Sequence, residues 1–310
     1  MPKLYVIIVT YNGMSWIDKC IVSVLNSSID ALPVVIDNNS NDGIVEYVKS
    51  KYTQCKIFET GKNLGFGKAN NVGIQWAVEQ GAEYVYLLNQ DAWVENDTFE
   101  ILIRIHQENK EYIILSPLQI SANGLNVDKG FYENALGKNR CPNLYNDYLC
   151  GVVKDVYPTQ FVMAAHWLLY IPHLKKVGLF SPIFPHYGED TNFVHRSHWY
   201  GFLIGVCPHT KAYHDRQYRE IPPSQMLYKE EISLLAILNN PSLQSRQRMK
   251  RYARFVSRVL KISQISIFKK FQTIFNAISL FPKSRKYRTI YQSDQCYQLF
   301  SYHIEDENNQ

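Results

Sequence analysis

Leu4-Tyr5-Val6-Ile7-Ile8-Val9-Thr10-Tyr11-Asn12-Gly13 is the stretch whose reading decides the fold. Six apolar residues and a threonine, cut off by Tyr-Asn-Gly, read as a strand covered on both faces, as strands of parallel sheets are. Working outward, 33–36, 56–59, 84–88 and 112–115 repeat the pattern. Between them 15–26, 44–51, 69–79 and 97–107 carry apolar residues at helical spacing. Strand alternating with helix predicts an α/β layered domain: a Rossmann-like, mixed but mostly parallel sheet with flanking helices and right-handed connections.

Beyond residue 117 the rhythm changes. Residues 118–160, rich in Asn, Gly, Tyr and Asp, predict an irregular insertion of the kind that carries specificity. A strand is expected over 161–171, then a helix or turn through Val177, a long polar and aromatic loop to about Tyr200, and a short strand over 202–206 leading to Ala212-Tyr213-His214. After about Pro223 the pattern is amphipathic helix. Met249, Tyr252, Val256 and Val259 share one face, as do Ile267, Phe271, Ile274 and Ile278, with Arg and Lys filling the others. The expected organisation is a catalytic domain over 1–222, a basic helical extension over 223–303 and a disordered acidic tail over 304–310.

Composition narrows the class. The chain has 310 residues of which 46% are apolar, ample for a large core. The run at 4–10 is too short for a secretory leader, and no stretch reaches the ~18 apolar residues of a spanning helix. Six scattered cysteines without zinc-ligand spacing suggest reduced thiols in a cytosol. The net charge of +5 conceals an asymmetry: residues 241–290 hold 13 Lys or Arg and no Asp or Glu, leaving 20 basic against 28 acidic residues elsewhere. Such a basic, Phe- and Ile-bearing extension fits an anionic membrane surface. Packing on the catalytic domain with a solvated basic face is the plainer alternative, and nucleic-acid binding is disfavoured because no recognition motif accompanies the charge.

In open α/β sheets ligands bind beyond the carboxyl ends of the strands. Thr10-Tyr11-Asn12, Asp37-Asn38-Asn39-Ser40 and Asn89-Gln90-Asp91 occupy that place. A nicotinamide cofactor is disfavoured, since the turn after the first strand has the single Gly13 where Gly-x-Gly-x-x-Gly is needed, and Gly65, Gly67 and Lys68 do not have P-loop spacing.

These segments, with Asn63-Leu64-Gly65-Phe66-Gly67, Ala69-Asn70-Asn71-Val72-Gly73, Gly188-Glu189-Asp190 and His214, stand in an order and at spacings that resemble the family 2 glycosyltransferases. The bacterial surface-polysaccharide branch, which includes many rhamnosyltransferases, is the nearest in flavour. The resemblance covers residues 4–216 and implies a GT-A fold, a nucleotide-activated sugar donor and inversion at the anomeric carbon. It implies that Asp37 receives the imide N–H of a uracil or thymine ring, with Thr10, Tyr11, Asn12 and Asn39 shaping the nucleoside pocket. Asn63, Gly65, Phe66, Gly67 and Asn70 close around the donor, and Asn89, Gln90 and Asp91 meet its diphosphate. Asp91 and His214 would hold Mg²⁺ or Mn²⁺, although Asn89 stands where the family often has the first carboxylate of Asp-x-Asp. Asp190 is the implied catalytic base, supported by Glu189. Asn192 replaces a carboxylate frequent two positions later. Trp167 and Tyr187 are candidates for contact with a sugar acceptor, Arg216 a weaker candidate for phosphate, and Arg196 a helix anchor.

The activity so implied moves a hexose or deoxyhexose from a UDP- or dTDP-sugar, dTDP-rhamnose among them, to a hydroxyl of a lipid-linked or growing surface polysaccharide such as O-antigen or capsule. The setting would be cytoplasmic, on the inner face of the membrane. The competing hypothesis, motivated by Asn89 and Asn192, is a membrane-associated scaffold that kept the fold and lost the chemistry.

Overall fold

A computed structural model describes residues 2–137, 139–216, 222–293 and 296–300, so the acidic tail expected at 304–310 lies outside the described residues. The chain runs β1 (Leu4–Thr10), α1 (Met14–Leu25), β2 (Ala31–Asp37), α2 (Ile44–Lys51), β3 (Lys56–Glu59), α3 (Phe66–Glu79), β4 (Tyr84–Asn89), β5 (Ala92–Val94), α4 (Thr98–Glu108) and β6 (Tyr112–Ser121). Short helices α5 (Lys129–Phe131) and α6 (Leu144–Leu149) follow, with a π-helical turn (Tyr132–Leu136) between them. Then come β7 (Tyr157–Thr159), β8 (His166–Tyr170), α7 (Ile171–Val177), α8 (Glu189–Trp199) and β9 (Leu203–His214). The last part is helical: α9 (Pro223–Leu238), α10 (Ser245–Lys261), α11 (Ile267–Asn276), a 3-10 turn (Ala277–Ser279), α12 (Leu280–Tyr291) and α13 (Cys296–Leu299).

One nine-stranded sheet, in the order β3-β2-β1-β4-β8-β6-β9-β5 with β7 beside β9, carries the fold. β1, β2, β3, β4, β6 and β9 point one way, and β5, β7 and β8 run against them. Alternation along β1 explains its unbroken apolar sequence. Tyr5 and Ile7 enter the core under α3, while Leu4, Val6 and Ile8 enter the opposite core with α1, α2 and α4.

The structure corrects several sequence expectations. The strand expected over 161–171 is confined to His166–Tyr170, and the loop expected to run to Tyr200 contains α8. α8 was concealed because its inward face is polar: Glu189, Asn192, Arg196 and Ser197 are buried beside Phe193 and Val194. The strand expected over 202–206 runs to His214, with an irregularity in its pairing to β6 between Pro117 and Leu118, and β6 itself reaches four residues into the supposed insertion. All six cysteines are free thiols.

The helical extension is not a detached arm. Leu227, Leu234, Leu238, Phe255 and Val259 form its own small core. Ile232, Leu235 and Ala236 of α9 pack on Ile183 and Phe184 of the loop before α8. Tyr291, Cys296 and Phe300 belong to the same core as β1 and β4. Arg196, wholly buried, ties α8 to this end of the chain, its guanidinium lying 5.2 Å from the Tyr291 ring centre and 5.8 Å from that of Phe300; it also donates to the carbonyls of Val177 (2.5 Å) and Leu179 (2.7 Å) and to Asn192 Oδ1 (3.0 Å).

Candidate active site

The parallel registers Thr10↔Asp37 and Val9↔Asn89 bring the ends of β2, β1 and β4 to one edge of the sheet. Neighbouring strands lie ~4.8 Å apart, so the ends of β2 and β4 are separated by roughly 10 Å, a span suited to a nucleoside diphosphate.

Asp37 is 3% exposed. Its Oδ1 accepts from Thr10 Oγ1 (3.1 Å), and its Oδ2 accepts from the backbone N–H of Asn39 (3.1 Å) and Ser40 (3.0 Å). The carboxylate therefore shapes the turn after β2 and keeps further lone pairs for a ligand. It lines a small recess with Asn39, Ser40, Glu59 and Gly61. Asn12, in the left-handed region (φ 50°), joins the two turns: its N–H donates to Ser40 Oγ (2.9 Å) and its Oδ1 accepts from the N–H of Asn41 (2.9 Å). Tyr11 and Gln90 pair reciprocally, the N–H of Tyr11 donating to Gln90 Oε1 (2.9 Å) and Gln90 Nε2 to the carbonyl of Tyr11 (3.3 Å). A Cβ on Gly13 would displace the amide end of Gln90 from this pairing.

Asn38 fixes the next loop. Its Nδ2 donates to Asn63 Oδ1 (3.0 Å) and its Oδ1 accepts from the N–H of Leu64 (2.7 Å). Gly65 (φ +77°) approaches the carbonyl of Pro185 so closely that no side chain fits, and a Cβ on Gly67 would stand 3.3 Å from Glu189 Cγ. These contacts press the start of α3 against the start of α8. Of the two amides inside α3, Asn70 donates to the carbonyl of Phe66 (2.9 Å) and Asn71 clamps Phe180 through both its side-chain atoms. The role of Asn70 in this structure is thus internal to its helix.

α8 begins after Tyr187 (φ 67°) and Gly188 (φ 84°), two successive left-handed residues. Asp190, in its first turn, accepts on Oδ1 from the N–H (2.6 Å) and hydroxyl (3.3 Å) of Thr191. Burial raises its pKa above the usual carboxylate value. Glu189 is 5% exposed, its Oε2 has no partner, and burial followed by the charge of Asp190 pushes its pKa up to about 8. Glu189 is therefore mostly protonated at neutral pH, and burial lifts both members of this adjacent pair above the usual carboxylate range. Tyr187 is 55% exposed and packs on His186.

The third element of the site comes from β9. His214 pairs with Ala92 across the β5–β9 ladder, so His214 Nε2 lies 3.3 Å from Asp91 Oδ1. Burial works against ionisation of Asp91, but the hydrogen bond and charge of His214, its backbone bond and the charge of Arg216 outweigh it and lower the pKa. Arg216 Nη2 donates to His214 Nδ1 (3.3 Å), which places the imidazole proton on Nε2. Arg216 Nε donates to Asp128 Oδ2 (3.3 Å), and Asp128 is 1% exposed. Sequence reasoning missed Asp128. The available signal was an Asp three residues before Phe131, whose N–H it caps, but nothing in the sequence linked it to Arg216.

Among the described residues no three His, Cys, Asp or Glu side chains cluster as a metal site. Two ligand atoms each ~2.1 Å from one divalent ion stand roughly 3 Å apart, so the Asp91–His214 separation fits a shared ion whose other positions are filled by diphosphate and water, as Mg²⁺ and Mn²⁺ accept. Asn89 Oδ1 is buried without a partner at the position where the family pattern carries a carboxylate. Ligation by Nε2 requires the imidazole proton to move to Nδ1 and the Arg216 contact to give way.

Trp167 departs from expectation. It is wholly buried, donates to the carbonyl of Val162 (3.2 Å) and stacks on Phe180, so it belongs to the core and offers no face to an acceptor.

The description "Glycosyl transferase family 2" matches residues 5–154. Just under half of the chain is thus similar to the family 2 glycosyltransferases. Its relatives include the low-salt glycan biosynthesis hexosyltransferase Agl10 of Haloferax volcanii, 23% identical over 59% of this chain and 58% of that protein. The dTDP-rhamnosyl transferase RfbF of Shigella flexneri is 27% identical over 38% of this chain and 39% of that protein. The chain thus spans about half the length of the curated relatives it matches. The crystal structure of Staphylococcus aureus TarS residues 1–349 with UDP superposes with a TM-score of 0.58 at 18% identity, covering 91% of this chain and 80% of that one. The chain therefore has the GT-A fold. The match to the family ends before Asp190 and His214, whose placement rests on the geometry alone.

Proposed function

We propose that this chain transfers a hexose or deoxyhexose from a UDP- or dTDP-sugar to a saccharide hydroxyl, with inversion at the anomeric carbon. The observation that supports the proposal is the close approach of Gly67, at the start of α3, to Glu189, at the start of α8, together with the Asp91–His214 pair at the strand ends; on this reading Asp190 faces the same cleft as Asp37 and Asp91. Displacement at the anomeric carbon needs a base on the acceptor side and charge compensation on the diphosphate side. Asp190 takes the proton of the acceptor hydroxyl on Oδ2 while Thr191 holds Oδ1. The new C1–O bond forms as the bond to the diphosphate breaks and its electron pair leaves with the phosphate. Glu189, protonated, donates to a sugar oxygen. Asp91 and His214 would hold a divalent ion, which would supply Lewis-acid neutralisation of the departing diphosphate. Asp37 reads the base ring, and Tyr187 lies open to the acceptor.

The UDP bound to TarS and the dTDP in the name of RfbF support a pyrimidine nucleotide. Thermal denaturation with UDP, dTDP or GDP plus Mn²⁺ tests this, since a ligand of the folded state raises the melting temperature. UDP or dTDP should stabilise the wild type and not Asp37→Ala, and EDTA should reduce the shift. Equal stabilisation by GDP, or none by any nucleotide, would refute the proposed pocket.

A further inference from the structure

The two amphipathic helices that look alike in sequence differ in the fold. α10 spends its apolar face on packing, with Phe255 and Val259 wholly buried and Tyr252 and Val256 against them, while Met249, expected on that face, is 54% exposed. α11 is turned the other way. Ile267, Phe268, Phe271, Phe275 and Ile278 are 60, 79, 58, 75 and 52% exposed, whereas Lys270 and Thr273 face inward, Lys270 Nζ donating to the carbonyl of Leu260 (2.9 Å). At ~100° per residue the five apolar residues fill an arc of roughly 120°, broad enough for a packed face. Three phenylalanines on one such arc are not the scattered apolar residues normal on a soluble surface.

We propose that α11 lies in the headgroup region of an anionic bilayer, with Phe268, Phe271 and Phe275 inserted among the acyl chains. A ten-residue helix is ~15 Å long, half of a ~30 Å hydrocarbon core, so it rests in the plane of the membrane and does not cross it. Charge selects the occupant. Exposed Lys261, Lys269, Lys283, Arg285 and Lys286 come from α10, α11 and α12, and residues 241–290 contain no Asp or Glu. In α9, which packs on α10, Glu230 is paired with Arg258 and Glu231 is half-buried. A two-fold dimer would set this cationic rim against itself, whereas an anionic leaflet neutralises it. The proposal does not depend on the transferase reading, because lipid binding and nucleotide binding are measured separately.

Flotation of the full chain with phosphatidylglycerol/phosphatidylethanolamine vesicles tests it. The wild type should rise with these vesicles, less so at high salt, and remain behind with pure phosphatidylcholine. Phe268→Ser/Phe271→Ser/Phe275→Ser should lower the bound fraction at least about tenfold, since each loses its apolar contribution to insertion. Its melting temperature and its nucleotide-induced shift should be unchanged, as these side chains are outside the core. A triple variant that floats like wild type, or a wild type that stays unbound, would overturn the proposal. So would a wild-type dimer in light scattering that the triple substitution converts to monomer without any loss of flotation.

Discussion

Four side chains from distant parts of the chain, Asp91, His214, Arg216 and Asp128, form one line of polar contacts at the strand-end edge. Asp91 and His214 were legible because each ends a strand, where a polar residue has no core to serve. Asp128 was not, since its meaning depends on a guanidinium 88 positions later. Glu189 and Asp190 were legible as a pair but not as unequal partners; burial decides that, and burial is a property of the fold. For Glu189 it yields a pH signature. Below about pH 4.5 the carboxyl is neutral in folded and unfolded chains alike; between 4.5 and about 8 only the unfolded chain ionises, so stability falls with pH and levels off above 8. Glu189→Gln removes that dependence. Its melting temperature should match wild type near pH 4.5 and exceed it by a margin that grows up to about pH 8; a margin constant across this range would contradict the raised pKa.

At the scale of elements, β1, β3 and α2 were placed to the residue, β1 because a two-sided core imposes its pattern on the sequence. α8 escaped because a helix that buries Arg196 and Asn192 against carbonyls shows no apolar stripe. The turns between elements are set by close approaches that sequence shows only as glycine. Gly13→Ala forces Gln90 away from Tyr11, breaking the link between the ends of β1 and β4. The expected cost is about 1–3 kcal/mol from overpacking, read as a lower denaturation midpoint together with a smaller nucleotide-induced shift. A variant as stable as wild type with normal nucleotide binding would show that the Tyr11–Gln90 pair does not organise the site.

For the whole molecule, the sequence divided the chain near residue 222, and the composition does change there. The packing shows how the parts depend on one another. α9 supports the loop before α8, with Tyr228 donating to the carbonyl of His186 (2.7 Å), and Asn71 Nδ2 donates to the carbonyl of Phe300 (3.1 Å). The helices thus brace the loop before α8 while α11 keeps an apolar face outward. Long-range support of this kind leaves no periodic trace, which is why the extension read only as amphipathic.

The central claim, that Asp190 performs acceptor deprotonation in an intact donor site, is tested most directly by UDP release. Wild type and Asp190→Asn are incubated with a UDP-sugar, Mn²⁺ and a saccharide acceptor, with UDP affinity measured calorimetrically on both. The account predicts that the variant loses about 10²-fold or more of the acceptor-dependent release while binding UDP as wild type does. Undiminished release, or loss of UDP binding in parallel with release, would contradict it.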